Sequence, residues 1–138
     1  GKLMQPHLVE KIIYPDGREV AIASKEVRQA VSEQAASDVT KMLISVVDNG
    51  HGKRAGIPGF YVAGKTGTAQ IPNPAGGYYE DRHIGGFAGY FPANDAQFAM
   101  IVKLDEPQGV RFAESSAAPL FGEIAAWLVN YAGLTPER

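Results

Sequence analysis

Lys65-Thr66-Gly67-Thr68 puts a cation, two hydroxyls and a gap with no side chain in one short run, followed by Ala69-Gln70. That set suits an anion. The ammonium supplies charge, the hydroxyls donate hydrogen bonds, and the glycine lets a ligand approach the backbone. Two chemistries compete for it. Gly59-Phe60-Tyr61-Val62-Ala63-Gly64-Lys65-Thr66 satisfies the phosphate-loop pattern G-x-x-x-x-G-K-[ST] letter for letter. The other chemistry is recognition of a substrate carboxylate along a strand during acyl transfer. On composition alone, the same residues also describe a surface strand with a solvated lysine.

The surroundings decide against phosphate. A phosphate loop follows a buried strand and opens a helix. Here the variable positions Phe60, Tyr61, Val62 and Ala63 favour a pleated strand, and their bulk fits an anion cradle poorly. Gly67, Pro72, Pro74, Gly76 and Gly77 leave no room for a helix after Thr66. Residues 50–58 form a Gly-rich loop, not a buried strand. The expected structure is an extended segment from Phe60 to Gln70, with its edge free to add backbone hydrogen bonds to an extended peptide.

The elements that must hold this strand follow from turn signals and periodicity. Leu8–Tyr14 and Glu19–Ile22 flank Pro15-Asp16-Gly17-Arg18, a hairpin signal. Ser32 is placed to cap a helix in which Ala35, Val39, Met42, Leu43, Val46 and Val47 recur at helical spacing, and Asn49-Gly50 ends it. After the lysine strand, residues 73–83 read as a polar loop. Ile84–Phe91 and Phe98–Leu104 read as two further strands joined by Pro92-Ala93-Asn94-Asp95. A last helix is expected over Ala118–Ala132. Ser115 or Ser116 caps it, Pro119 lies in its first turn, Gly133 ends it, and Phe121, Ile124, Ala125, Leu128 and Val129 form its apolar stripe. The fold class is α+β, an antiparallel sheet with packed helices.

The 138 residues suffice for one domain with a core, and 45% hydrophobic and 20% charged residues are ordinary globular values. A net charge of −2 with scattered Lys and Arg gives no nucleic-acid footprint. There is no cysteine, which excludes a disulfide framework, a Cys-zinc site and a Cys nucleophile. No apolar run is long enough to span a bilayer. His7, His51 and His83 lack metal-ligand pair spacing, so no metal or other cofactor is expected. Asp105-Glu106 reads as a strand-end turn before Pro107, with the two side chains directed to opposite faces. Tyr78 and Tyr79 either line a groove or pack a loop. Trp127 reads as core or interface, and Lys53-Arg54 as a solvated loop.

Five segments in order carry a family resemblance: Pro6-His7-Leu8-Val9; Val62 to Gln70; Phe87-Ala88-Gly89-Tyr90-Phe91-Pro92-Ala93; Asp105-Glu106-Pro107; and Ala117 to Ile124. Together they resemble the C-terminal part of the transpeptidase domain of a class B penicillin-binding protein, a peptidoglycan D,D-transpeptidase. The joint order is more specific than K-T-G alone, which β-lactamases share. The resemblance implies a penicillin-binding-protein/serine β-lactamase-like fold. It also implies a serine that attacks the penultimate D-alanine of a stem peptide, and an acyl-enzyme resolved by an amine of a neighbouring stem peptide. β-Lactams mimic the D-Ala-D-Ala end. By position, Lys65, Thr66 and Thr68 engage the terminal carboxylate, with Gln70 beside them. The Thr68 N–H is one of two oxyanion donors, and Gly67 stays small for the acyl group.

The family also uses S-x-x-K and S-x-N, and neither occurs here: no serine is followed by Lys at the third position or Asn at the second. Residues 1–138 are therefore expected to be the C-terminal portion of one transpeptidase domain. The nucleophile and a membrane anchor would lie upstream in the same protein, on the extracytoplasmic side of a bacterial membrane. A β-lactamase or β-lactam-sensor domain of the same fold, and a non-catalytic binding module, are the alternatives. Without upstream covering, the helical stripe from Ala35 to Val46 is expected to be partly exposed.

Overall fold

The computed structural model describes residues 1–138, in two compact units, Gly1–Val39 and Thr40–Arg138. The first unit holds two small antiparallel ladders. Strand β1 (Lys2–Met4) pairs with β4 (Glu26–Gln29), and β2 (Lys11–Ile13) pairs with β3 (Glu19–Ala21). The β2–β3 turn forms as its residues require. Gly17 takes φ 83°, and Asp16 Oδ1 accepts the Arg18 N–H at 3.0 Å. The strands are shorter than the apolar runs suggested, because Leu8 and Val9 stay outside the ladder. The β1–β4 pair has no counterpart in the sequence reading.

Helix α1 (Glu33–Asp48) starts in the first unit, where Ser32 Oγ accepts the Ala35 N–H at 3.1 Å, the expected cap. Val39 and Met42 are exposed, Leu43 and Val46 half-buried, and Val47 buried.

The second unit is built on a meander. Strands β5 (Ala63–Pro72), β6 (Tyr78–Phe91) and β7 (Phe98–Asp105) lie in sequence order, each antiparallel to its neighbour. Helix α2 (Ala117–Tyr131) covers one face. Strand alternation and register put Phe87, Gly89 and Phe91 of β6 beside Val102, Met100 and Phe98 of β7 on that face. Phe121 of α2 closes over them, with ring centroids 4.7 Å from Phe87 and 5.7 Å from Phe91. Glycines permit this closeness: a Cβ on Gly64 would meet the Phe87 ring at 2.5 Å, and one on Gly89 would meet the Phe121 ring at 3.1 Å.

Several expectations need correction. Strand β5 begins at Ala63, not Phe60; Phe60 and Val62 are buried in the lead-in, which Glu137 holds by accepting the Tyr61 N–H. The polar stretch to His83 is not a loop. Tyr78–His83 extend β6 and pair with the end of β5, and the turn is confined to residues 73–77, where Gly76 and Gly77 take positive φ. Its polarity reflects a ribbon running beyond the core, wet on both faces. Ser116 sits at the N-cap of α2, but its hydroxyl donates to the Phe112 carbonyl instead of capping. Ile124 faces solvent; the buried face runs through Ala118, Phe121, Gly122, Ala125 and Val129, and Gly122 lets the helix approach the 3-10 turn at Lys53–Ala55. Trp127 is not core; it is 61% exposed and stacks on Tyr131. Gly133, at φ 62°, does end α2: Leu134 N–H returns to the Val129 carbonyl and Gly133 N–H to that of Asn130.

Candidate functional site

Strand β5 is an edge strand, paired only with β6. Its side chains alternate: Lys65 and Gly67 lie on the face away from α2, opposite Ala88 and Gly86, while Thr66 and Thr68 lie on the α2 face, opposite Phe87 and Gly85. Lys65 and the threonines thus start from opposite faces. They meet because β5 has a free edge. The Lys65 ammonium wraps round it, donating to the Thr66 carbonyl at 2.9 Å and to Thr66 Oγ1 at 3.2 Å.

Backbone groups alternate as well. The Gly67 carbonyl is directed at β6, since a Cβ on Gly86 would lie 3.7 Å from it. The Thr66 carbonyl, in contrast, is open enough to receive Lys65. Even-numbered residues of this stretch therefore direct N–H and C=O outward, and the Thr68 N–H faces the free edge.

The hydroxyls are pre-oriented. Thr66 Oγ1 accepts from Lys65, and Thr68 Oγ1 accepts the Ala113 N–H at 3.2 Å. With an acceptor site occupied on each oxygen, each O–H is left to donate. Around them, His51, Thr66, Thr68, Phe112, Ala113 and Glu114 line a groove of about 290 Å³. His51 Nδ1 lies 2.6 Å from Glu114 Oε2 at its border. A cation, two directed hydroxyls and an outward N–H can hold a carboxylate and stabilise a developing oxyanion beside it.

Gln70 is not brought into this groove; its amide donates to the Tyr79 carbonyl across the hairpin. Gly67 has open space about it: a Cβ there meets nothing within 4 Å. His51, Phe112, Ala113 and Glu114 were missed by sequence reasoning. Ala113 reaches Thr68 from 45 positions away, and no local spacing signals such a contact.

A larger cleft of about 650 Å³ lies between the outer part of β6 and the β7–α2 loop, away from Lys65. There Arg82 grips Glu106 through two hydrogen bonds, one of 2.8 Å from Nε, and its guanidinium lies 4.5 Å from the Tyr79 ring centroid. The bond from Arg82 holds the Glu106 carboxyl below the usual carboxylate range. Asp105 pairs with Lys103 instead, so the adjacent carboxylates act separately.

Comparison with known proteins converges on one family. The family model described as "Penicillin binding protein transpeptidase domain" matches residues 1–126. The chain is 38% identical to Penicillin-binding protein PbpB of Mycolicibacterium smegmatis, over 94% of this chain and 22% of that protein. It is 33% identical to Stage V sporulation protein D of Bacillus subtilis, over 100% of this chain and 22% of that protein. The crystal structure of Penicillin binding protein 3 from Mycobacterium tuberculosis complexed with ampicillin superposes with a TM-score of 0.77 at 35% identity, covering 93% of this chain and 30% of that one. The chain thus spans about a fifth of the length of these curated relatives.

Proposed function

The chain belongs to the penicillin-binding protein transpeptidase domain family, with class B relatives, and we propose that it forms the substrate-binding portion of a serine D,D-transpeptidase that cross-links peptidoglycan stem peptides. Residues 1–138 are the C-terminal portion of one such domain. The rest of a longer protein supplies the serine, its lysine and the S-x-N segment.

In this reading, Lys65, Thr66 and Thr68 hold the terminal carboxylate of D-Ala-D-Ala or the acid group of a β-lactam. The serine attacks the penultimate D-alanine carbonyl, the Thr68 N–H stabilises the oxyanion, D-alanine leaves, and the amine of a second stem peptide takes the acyl group. Losing one oxyanion donor typically costs on the order of 100- to 1000-fold in rate. The observation that supports the reading best is the Lys65 ammonium drawn round the free edge of β5 onto Thr66, with Thr68 oriented by Ala113.

The face of the sheet away from α2 carries an apolar groove of about 550 Å³, which includes Leu43, Ala63, Ala88, Tyr90 and Ile101. The remaining part of the domain packs there. The protein works at the extracytoplasmic face of a bacterial membrane. No helix of this chain is long and apolar enough to cross one.

Fluorescent penicillin labelling tests the reading. The longer protein should carry a covalent label that survives denaturation, and this 138-residue chain should not, since none of its serines has the required lysine. An unlabelled longer protein would refute the activity. A penicilloyl adduct on the isolated chain, seen by intact mass, would refute the placement of the serine.

A further inference from the structure

Residues 106–112, between β7 and α2, hang between two anchors. At the first, Glu106 takes φ 50°, a left-handed conformation that a non-glycine residue keeps only where its surroundings hold it. The outer part of β6 does the holding. Glu106 N–H donates to the His83 carbonyl at 3.1 Å, and its carboxylate receives both prongs of Arg82. Four residues on, the Val110 carbonyl lies 2.9 Å from His83 Nε2. At the second anchor the Ala113 N–H donates to Thr68 Oγ1, and Phe112, Ala113 and Glu114 form one wall of the groove.

Arg82 and Glu106 do not line that groove themselves. Both are substantially exposed, and an exposed ion pair contributes little to global stability. The geometry is nonetheless specific. A planar guanidinium meets a carboxylate in two-pronged fashion, its face against Tyr79, at the one residue of the loop whose backbone is strained. The pair thus fixes the start of a loop whose other end, at Phe112 and Ala113, walls the groove.

We infer that Arg82 and Glu106 are positioning residues for acyl transfer: their pairing clamps the β7–α2 loop to β6 and so sets the groove wall of Phe112 and Ala113 against Thr68. The inference rests on the transpeptidase reading above. Without the clamp, Glu106 relaxes from its left-handed backbone and the loop gains freedom. Ala113 then no longer holds the Thr68 hydroxyl in one orientation. The acyl donor still binds, but its carbonyl is misaligned, and small misplacements at a reacting centre are costly.

The test uses the longer protein that carries this chain, with Arg82→Ala, Glu106→Gln, the double variant and Arg82→Lys. Stopped-flow acylation by a fluorescent penicillin is resolved into the dissociation constant of the first complex and the rate of the acylation step. Each single variant should slow the acylation step roughly 10- to 100-fold, with the dissociation constant changed less than the rate. The double variant should be no slower than the worse single one, because the two residues act as one unit. Arg82→Lys should recover part of the rate, and melting curves should stay close to wild type. Acylation by both single variants within twofold of a reactive wild type would overturn the inference and leave the transpeptidase reading standing. So would rate losses that track lowered melting temperatures and are not relieved in Arg82→Lys. A wild-type protein that does not react at all would overturn both.

Discussion

On the α2 face of the β5–β6–β7 sheet, Phe87, Phe91 and Val102 are buried and Phe121 closes over them. On the opposite face, built from the intervening residues of the same strands, Ile101 is 75% exposed beside Ala88, and Tyr90, whose hydroxyl lies 2.7 Å from Thr40 Oγ1, is tied to α1. One face makes a finished core. The other is apolar enough to want a partner and has only part of one. The residues proposed to bind a carboxylate straddle this divide, since Thr66 and Thr68 start on the closed face, Lys65 starts on the open one, and the free edge of β5 brings Lys65 and Thr66 together. The closed core fixes where the edge lies. What reaches the edge meets Thr66 and Thr68 in the groove that Phe112 and Ala113 wall.

The largest expected effect tests the asymmetry of the faces. Phe121→Ala should cost about 3–5 kcal/mol of stability by opening a cavity among the three phenylalanines. Ile101→Ala should cost less than about 0.5 kcal/mol in this chain, because the side chain is already in water. Urea denaturation of both variants decides it, and equal losses would mean that the faces do not differ in this way.

Two glycines of β5 sharpen the contrast between holding the sheet and serving the ligand. Gly64→Ala should lose about 1–3 kcal/mol, since its Cβ collides with the Phe87 ring. Gly67→Val meets open space and should melt like the parent chain, yet on the transpeptidase reading it should be the more damaging of the two to acylation in the longer protein, because the branched side chain would occupy the room proposed for the acyl group. Melting curves set beside acylation rates would expose a failure of either half.

A smaller effect belongs to Thr68. Thr68→Val keeps the N–H but strands that of Ala113, so about 1 kcal/mol of stability should go with the hydroxyl. Acylation should fall less than for loss of Lys65. A Thr68→Val variant slower than Lys65→Ala would shift the weight of carboxylate binding from the cation to the hydroxyl.

Much of this architecture was legible in the residues. Gly, Pro and Asn-Asp turns mark the meander, helical spacing marks α2, and the run of Lys65 to Thr68 does lie on a strand with a free edge. What escaped was non-local or rested on packing. β1 and β4 are each too short to show a period and find each other across 21 intervening residues, counted from Met4 to Glu26. Tyr78–His83 look like loop because a ribbon beyond the core needs no apolar face. Ile124 belongs to the stripe by period, yet α2 turns its small residues inward so that its backbone can approach the 3-10 turn at Lys53–Ala55. The contact of Ala113 with Thr68 and the clamp of Arg82 on Glu106 join separate segments, so only the folded chain displays them.

The central claim is that the free edge of β5 holds the substrate's carboxylate through Lys65. The most direct measurement is the second-order rate of acylation by a β-lactam for Lys65→Ala against wild type in the longer protein, with a melting curve for each. Charge-assisted hydrogen bonds contribute about 1.5–3 kcal/mol, so the account predicts a loss of at least roughly tenfold to 150-fold with the melt unchanged. Acylation at near the wild-type rate by a folded Lys65→Ala protein would contradict it.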